Sequence, residues 1–142
     1  MFEDYAGPLM KKISEQLEMN VNDKIRKYQL TLSQARVILF LSEKEGMIAS
    51  QKELEDHLCV SHPTTVTIVR SMASKNLIDT YTDQTDKRMK MIHLKWGDKA
   101  IYSELKENAD SMEKIMMLDF SDKEKKEFLQ LLQRAYENTI KL

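Results

Sequence analysis

The residues with types and spacing suited to chemistry are concentrated in one short stretch, and the chemistry is that of gripping phosphates and base edges. Ser61-His-Pro-Thr-Thr reads as the capped start of a helix. Ser61 and the first N–H groups of such a helix can hold a phosphate. Along that helix His62, Pro63, Thr64, Val66, Thr67, Arg70 and Ser71 form a candidate outward face. Hydroxyls serve bases or phosphates, a guanidinium forks to a guanine or a phosphate, and an exposed valine can meet a thymine methyl. Further on, Lys87, Arg88 and Lys90 crowd one polar segment, with Asp86 two residues before Arg88. A basic finger of this kind suits a narrow minor groove. Asp86 would repel phosphate if it faced DNA, so its expected work is to hydrogen-bond the tip and hold Arg88.

The outward face depends on which stripe of this helix turns inward. Thr65, Ile68, Val69 and Met72 recur at i, i+3, i+4, i+7. A stripe of Val66, Val69 and Ala73 is the alternative, burying Val66 and exposing Thr65. The first buries more carbon and is preferred.

Other chemistries lack their residues. There is no Gly-rich phosphate loop, no nucleophile elbow and no His-Glu metal motif, so no enzyme is expected. His57, Cys59 and His62 are close in sequence, but their spacing fits no standard zinc pattern, so no metal site and no cofactor are expected. Cys59 is the single cysteine, and Leu58 and Val60 flank it. A reactive thiol needs a cationic, exposed setting, so a buried structural cysteine is expected here.

The surrounding pattern supplies helices to position this segment. Pro8 suits the first turn of a long helix whose stripe is Met10, Ile13, Leu17, Val21, Ile25 and Tyr28. Ser33 is the expected cap of a second helix through Val37, Ile38 and Leu41, buried on all sides and stopped at Gly46. Ser50-Gln-Lys-Glu53 has the capping-box pattern, with Leu54 and Leu58 inward. Only Cys59-Val60 separates this helix from the next, the compact joint of a helix-turn-helix. Thr80–Thr82 and Met89–Leu94 read as strands around the tip Asp83–Arg88. From Gly97 a helix runs through Ile101, Leu105, Met112 and Ile115. A capping box at Ser121–Glu124 opens the last helix, with Phe128, Leu131, Leu132, Ala135, Tyr136 and Ile140 on one face.

Charge is distributed to match. The 142 residues carry net charge −1, but residues 60–95 hold 6 Lys and Arg against 3 acids, whereas 1–59 and 96–142 each hold 8 against 10. A local basic patch can bind phosphates within an acidic protein. No apolar run reaches the length of a membrane span, and the first residues lack the pattern of a secretory leader, so a cytoplasmic location without membrane contact is expected.

The fold expected is mainly α with a small β-wing. A winged helix-turn-helix lobe spans 31–97, flanked by dimerisation helices at 1–30 and 98–142. The apolar stripes of the end helices need a partner, and a second copy of the same surface supplies one. A protein-binding helical adaptor, using the ten methionines as an adaptable surface, is the competing class; it leaves the basic wing unexplained. Tyr28, Phe40, Trp96 and Tyr102 serve a ligand cleft or a core equally well.

Ser50 to Gly97 resembles the DNA-binding lobe of the MarR family of bacterial transcription regulators. The resemblance rests on Ser61-His-Pro-Thr-Thr, Lys75-Asn-Leu-Ile, Asp86-Lys-Arg88 and Ile92-His-Leu94. The Asp-x-Arg wing is its most family-specific element. Asn76 stands where the family usually has Gly, and Asn tolerates the left-handed backbone such a position needs. Leu94-Lys-Trp-Gly97 replaces the usual Leu-Thr-x-x-Gly before the next helix. The resemblance implies a triangular homodimer with interlocked end helices and two lobes on a pseudo-palindromic operator of double-stranded DNA. It also implies a repressor released by a small phenolic or anionic effector bound between lobe and dimer helices. Family members that respond to oxidants or metals provide the alternative thiol- or metal-responsive reading.

Overall fold

Local capping sets where each helix starts. The structure, a computed structural model, describes residues 2–95 and 99–142. Helix α1 spans Ala6–Ile25, with Pro8 in its first turn, and a one-turn 3-10 helix over Arg26–Tyr28 follows. Gln29 then turns the chain in the left-handed region, φ 58°. Helix α2 covers Leu32–Ser42. Its cap is Thr31, not Ser33. Thr31 Oγ1 accepts from Gln34 N, and Gln34 Oε1 accepts from Thr31 N, both at 3.2 Å. That reciprocal box outcompetes Ser33, which has no glutamate or glutamine three residues on. Helix α2 also stops earlier than expected, at Glu43. Gly46 lies beyond it in a separate turn, at φ +65°.

Strand β1, Ile48–Ser50, is an addition to the elements expected from sequence; three residues are too short to show alternation. It pairs antiparallel with β3, Lys90–Leu94, which also pairs with β2, Ile78–Thr82. The sheet order is β1-β3-β2. Ile92 sits opposite Ala49 on one side and Thr80 on the other.

Helix α3, Gln51–Leu58, starts at Ser50, whose Oγ accepts from Glu53 N at 3.0 Å. The reciprocal half differs from a full capping box: the Glu53 carboxylate takes the Ser50 hydroxyl, not its main-chain N–H. Cys59 closes α3 in the left-handed region, and Ser61 caps α4, His62–Ser74, by accepting from Thr64 N. Helix α4 ends in a Schellman motif. Asn76 takes φ +60°, Asn76 N–H donates to Ala73 O, and Leu77 N–H donates to Met72 O, each at 3.0 Å. Asn76 therefore does the work that the resemblance assigns to a glycine.

Residues 1–108 form one compact unit. Its core joins Ile25 of α1, Ile38 and Leu41 of α2, Leu54 of α3, Met72 of α4, and Ile92 and Leu94 of β3, all essentially inaccessible. Each such side chain contributes about 1.5–3 kcal/mol through burial. On α1, Phe2 and Tyr5 just before it, Leu9, Met10 and Met19 remain exposed.

Residues 109–142 form the second unit. The boundary falls within α5, Lys99–Met116. Helix α6, Asp122–Ile140, opens with the full capping box of Ser121 and Glu124, at 3.1 and 2.9 Å. Phe128 stacks edge-on against Phe120. No residue of α6 is buried, and Leu129, Leu131, Tyr136 and Ile140 are exposed. Trp96 and Gly97, and the side chain of Val21, lie outside the described residues. Among the described residues, no helix is long and apolar enough to cross a membrane.

Candidate nucleic-acid interface

Helix α4 turns Thr65, Val69 and Met72 inward, with Ile68 half-buried beside them. Thr65 is fully buried, and its hydroxyl donates to Ser61 O at 3.1 Å, so a polar group is placed in the core at little cost. That stripe leaves Ser61, His62, Pro63, Thr64, Thr67 and Arg70 exposed. Thr64 Oγ1 accepts from the Ser61 hydroxyl at 2.8 Å, and the Thr67 hydroxyl donates to Pro63 O at 3.0 Å. Both threonine oxygens keep acceptor capacity toward solvent.

Two residues of the expected outward face differ. Val66 is half-buried. Ser71 is half-buried too, and its Oγ accepts from Gln34 Nε2 of α2 at 3.2 Å. Ser71 lies on the flank of α4 where α2 packs, and its hydroxyl is engaged with Gln34.

The wing joins β2 to β3 through residues 83–89. The Asp83 carboxylate accepts from the Thr85 hydroxyl at 2.6 Å, Thr85 N at 3.2 Å and Asp86 N at 3.0 Å. The Thr85 hydroxyl, followed by the Asp86 main chain, holds the Asp83 carboxyl below the ordinary carboxylate range. Met89 N–H donates to Asp86 O and closes the turn. Asp86 Oδ1 then accepts from Arg88 N at 3.0 Å and Arg88 Nε at 3.3 Å. The arginine is held at its base while its side chain stays 93% exposed. Lys87 and Lys90 are exposed beside it.

The lobe brings helix and wing residues together at two depressions. Ser50, Lys52, Glu55, His62, Arg88 and Lys90 line a cleft of about 210 Å³. Val66, Arg70, Ala73, Thr80 and Lys90 line a smaller one of about 160 Å³. Arg70 of α4 and Lys90 of β3 thus share a wall, and neither has an ion-pair partner among the described residues. His62 Nδ1 lies 3.2 Å from Glu55 Oε2, which anchors its ring to α3. Unpaired cations of one sign on one face focus potential toward a polyanion.

A family model described as the MarR family matches residues 28–89, the span from the end of the 3-10 turn after α1 to the end of the wing. Over these residues the chain is similar to the MarR family. Solved MarR-type structures extend the likeness in fold over almost the whole chain. The Staphylococcus aureus MepR–DNA complex is 21% identical, covers 94% of this chain and 97% of its own, and superposes with a TM-score of 0.83. Bordetella bronchiseptica BpsR, whose structure concerns regulation of its DNA binding by 6-hydroxynicotinic acid, is 16% identical, covers 96% of both chains, and gives 0.81. A MarR transcriptional regulator from Methanosarcina mazei is 20% identical over 97% of this chain and 91% of its own, with 0.78. No curated protein matches the chain.

Within this lobe, Cys59 departs from expectation. It is exposed, at the left-handed residue that closes α3. Its Sγ lies 3.4 Å from Asp56 O and 3.8 Å from His57 O, so a thiol proton is directed at carbonyls. His57 stacks on Phe40, ring centroids 4.4 Å apart, and His62 is turned to Glu55. These three side chains have separate engagements, and among the described residues no group of three His, Cys, Asp or Glu side chains is disposed to hold a metal.

Sequence reading omitted Ser50 and Lys52, which stand with His62 and Arg88 around the larger cleft. Their signal is positional: they open α3, and only the pairing of β1 with β3 brings that helix start beside the wing. Asp56 hydrogen-bonds Lys52 at 3.1 Å and raises its pKa.

Proposed function

We propose that the chain is a sequence-specific regulator of transcription that binds duplex DNA through α4 and the wing. The observation that carries this reading is the shared face of α4 and β3. Arg70 and Lys90 line one depression, and Arg88, fixed by Asp86, stands at the neighbouring one. A helix of 13 residues, about 20 Å long, fits the major groove, and a short basic hairpin reaches the flanking minor groove. His62, Pro63, Thr64, Thr67 and Arg70 are the contact residues on the helix, with Val66 at their margin. Lys87, Arg88 and Lys90 are those on the wing. The likeness to a MepR–DNA complex supports DNA as the partner.

In this reading the working form is a cytoplasmic homodimer on a pseudo-palindromic operator. Residues 1–30 and 98–142 supply dimerisation helices, and 31–97 the DNA-reading lobe. Support comes from the apolar residues left exposed along α1 and, separately, along α6. The same regulator acts as a repressor that a small phenolic or anionic molecule releases. BpsR, with its 6-hydroxynicotinic acid, supports this arrangement by fold alone.

Selection of bound sequences from a random duplex pool at physiological salt tests the proposal. Enrichment of an inverted repeat with half-sites about one helical turn apart is expected. Weak, uniformly salt-sensitive binding without enrichment would overturn it.

A further inference from the structure

The polar contacts at the C-terminal half of α4 are out of proportion to a solvated helix face. Gln34 is 4% exposed, and its amide is used on both sides. Oε1 accepts from Thr31 N at 3.2 Å and from Lys75 Nζ at 3.1 Å, while Nε2 donates to Ser71 Oγ at 3.2 Å. Lys75 Nζ also donates to Gln29 O at 3.0 Å. Gln29 is the left-handed residue that ends the 3-10 turn. On the other side of that turn, Tyr28 donates to the Glu104 carboxylate of α5, and Lys27 pairs with the same carboxylate.

One buried amide therefore joins three things. It caps α2, it takes a hydrogen bond from the residue that ends α4, and it gives one to the last turn of α4. Packing of Val69 and Met72 against the core sets the depth of α4. Apolar contacts are non-directional, so they leave its rotation and tilt weakly defined. Directional hydrogen bonds at the C-terminal half define both.

We propose that Gln34 and Lys75 form a clamp that orients α4 against the 26–31 corner, so that the exposed face of α4 meets DNA in register. Neither residue touches the duplex; both are positioning residues. Glu104 extends the clamp, because it holds the two residues that precede Gln29. A displacement of α5 at Glu104 reaches Ser71 through consecutive contacts: Tyr28 and Lys27, the Gln29 carbonyl, Lys75, and Gln34. This inference rests on the proposed reading of α4 as the DNA-reading helix.

The test uses the full chain with Lys75→Met, Gln34→Leu and Gln34→Glu. Glutamate keeps both acceptor contacts, and the Ser71 hydroxyl can then donate to it. For Lys75→Met and Gln34→Leu, the affinity for a selected operator should fall about tenfold, the loss of one or two hydrogen bonds. Affinity for a random duplex and its salt dependence should stay unchanged, and Gln34→Glu should restore operator binding. In the free protein, amide hydrogen exchange over residues 71–77 should quicken for the first two variants and not for the third. A loss shared equally by both duplexes, with the salt slope reduced by about one, would make Lys75 a phosphate ligand and overturn the clamp. Unchanged exchange over 71–77 would overturn it as well. A wild-type protein that selects no operator would defeat the DNA reading, while the exchange measurement still decides the clamp.

Discussion

Asp86 and Arg88 are bonded twice, through the arginine main-chain N–H at 3.0 Å and its Nε at 3.3 Å, both to Oδ1 of the aspartate. The acidic residue thus faces the arginine and not the space in front of the wing. Nε is held and the two terminal nitrogens remain outward, which leaves a forked donor pair for an acceptor on DNA. Arg88→Ala should weaken operator binding by about 1–3 kcal/mol. Asp86→Ala should cost less, and the double variant should match Arg88→Ala alone, since both act on one contact. Fluorescence anisotropy of labelled operator measures all three; additive losses would separate the two residues.

Acid should loosen the wing late. The folded Asp83 carboxyl has its pKa lowered, chiefly by the Thr85 hydroxyl. The stabilisation is present above the unfolded value of about 3.9 and is lost as pH falls through the lower folded value. Amide resonances of Thr85 and Asp86, followed by NMR, should therefore titrate with a midpoint below that of an unperturbed aspartate. A midpoint at or above it would contradict the three hydrogen bonds assigned to Asp83.

The helix-turn-helix depends on Leu54, which is fully buried where α2, α3 and α4 meet. Leu54→Ala should lower the unfolding free energy by about 2–5 kcal/mol. Urea denaturation reads the change directly. A loss below about 1 kcal/mol would mean that α3 is not anchored through this side chain.

Cys59 is exposed yet has its thiol directed at the carbonyls of Asp56 and His57. Cys59→Ser should leave DNA affinity unchanged, with and without peroxide. A wild-type response to peroxide that the variant lacks would establish the thiol-responsive reading instead.

The helix-turn-helix was legible because its signals are local. Ser61 and Pro63 mark a helix start, Leu54 and Leu58 mark a face, and Thr65, Val69 and Met72 keep the helical period. The Asp86–Arg88 relation was legible for the same reason, as two residues apart in one turn. Two features depend on distant partners. Ser71 looked outward until α2 supplied Gln34, 37 residues earlier. β1 forms only because β3 presents a free edge to Ile48–Ser50. Thr31 rather than Ser33 caps α2 because Gln34 completes the box, a local signal that the apolar pattern of the helix overshadowed. Cys59 was expected inside because its neighbours are apolar; it stands exposed at a left-handed residue, φ 55°.

The central claim is that α4 reads a major groove while the wing enters the minor groove beside it. Dimethyl sulfate interference on a selected operator tests this most directly, because guanine N7 lies in the major groove and adenine N3 in the minor groove. The account predicts two clusters of guanine N7 interference about one helical turn apart, each flanked by adenine N3 interference that Arg88→Ala abolishes. Interference confined to the minor groove, or flanking signals that survive Arg88→Ala, would contradict it.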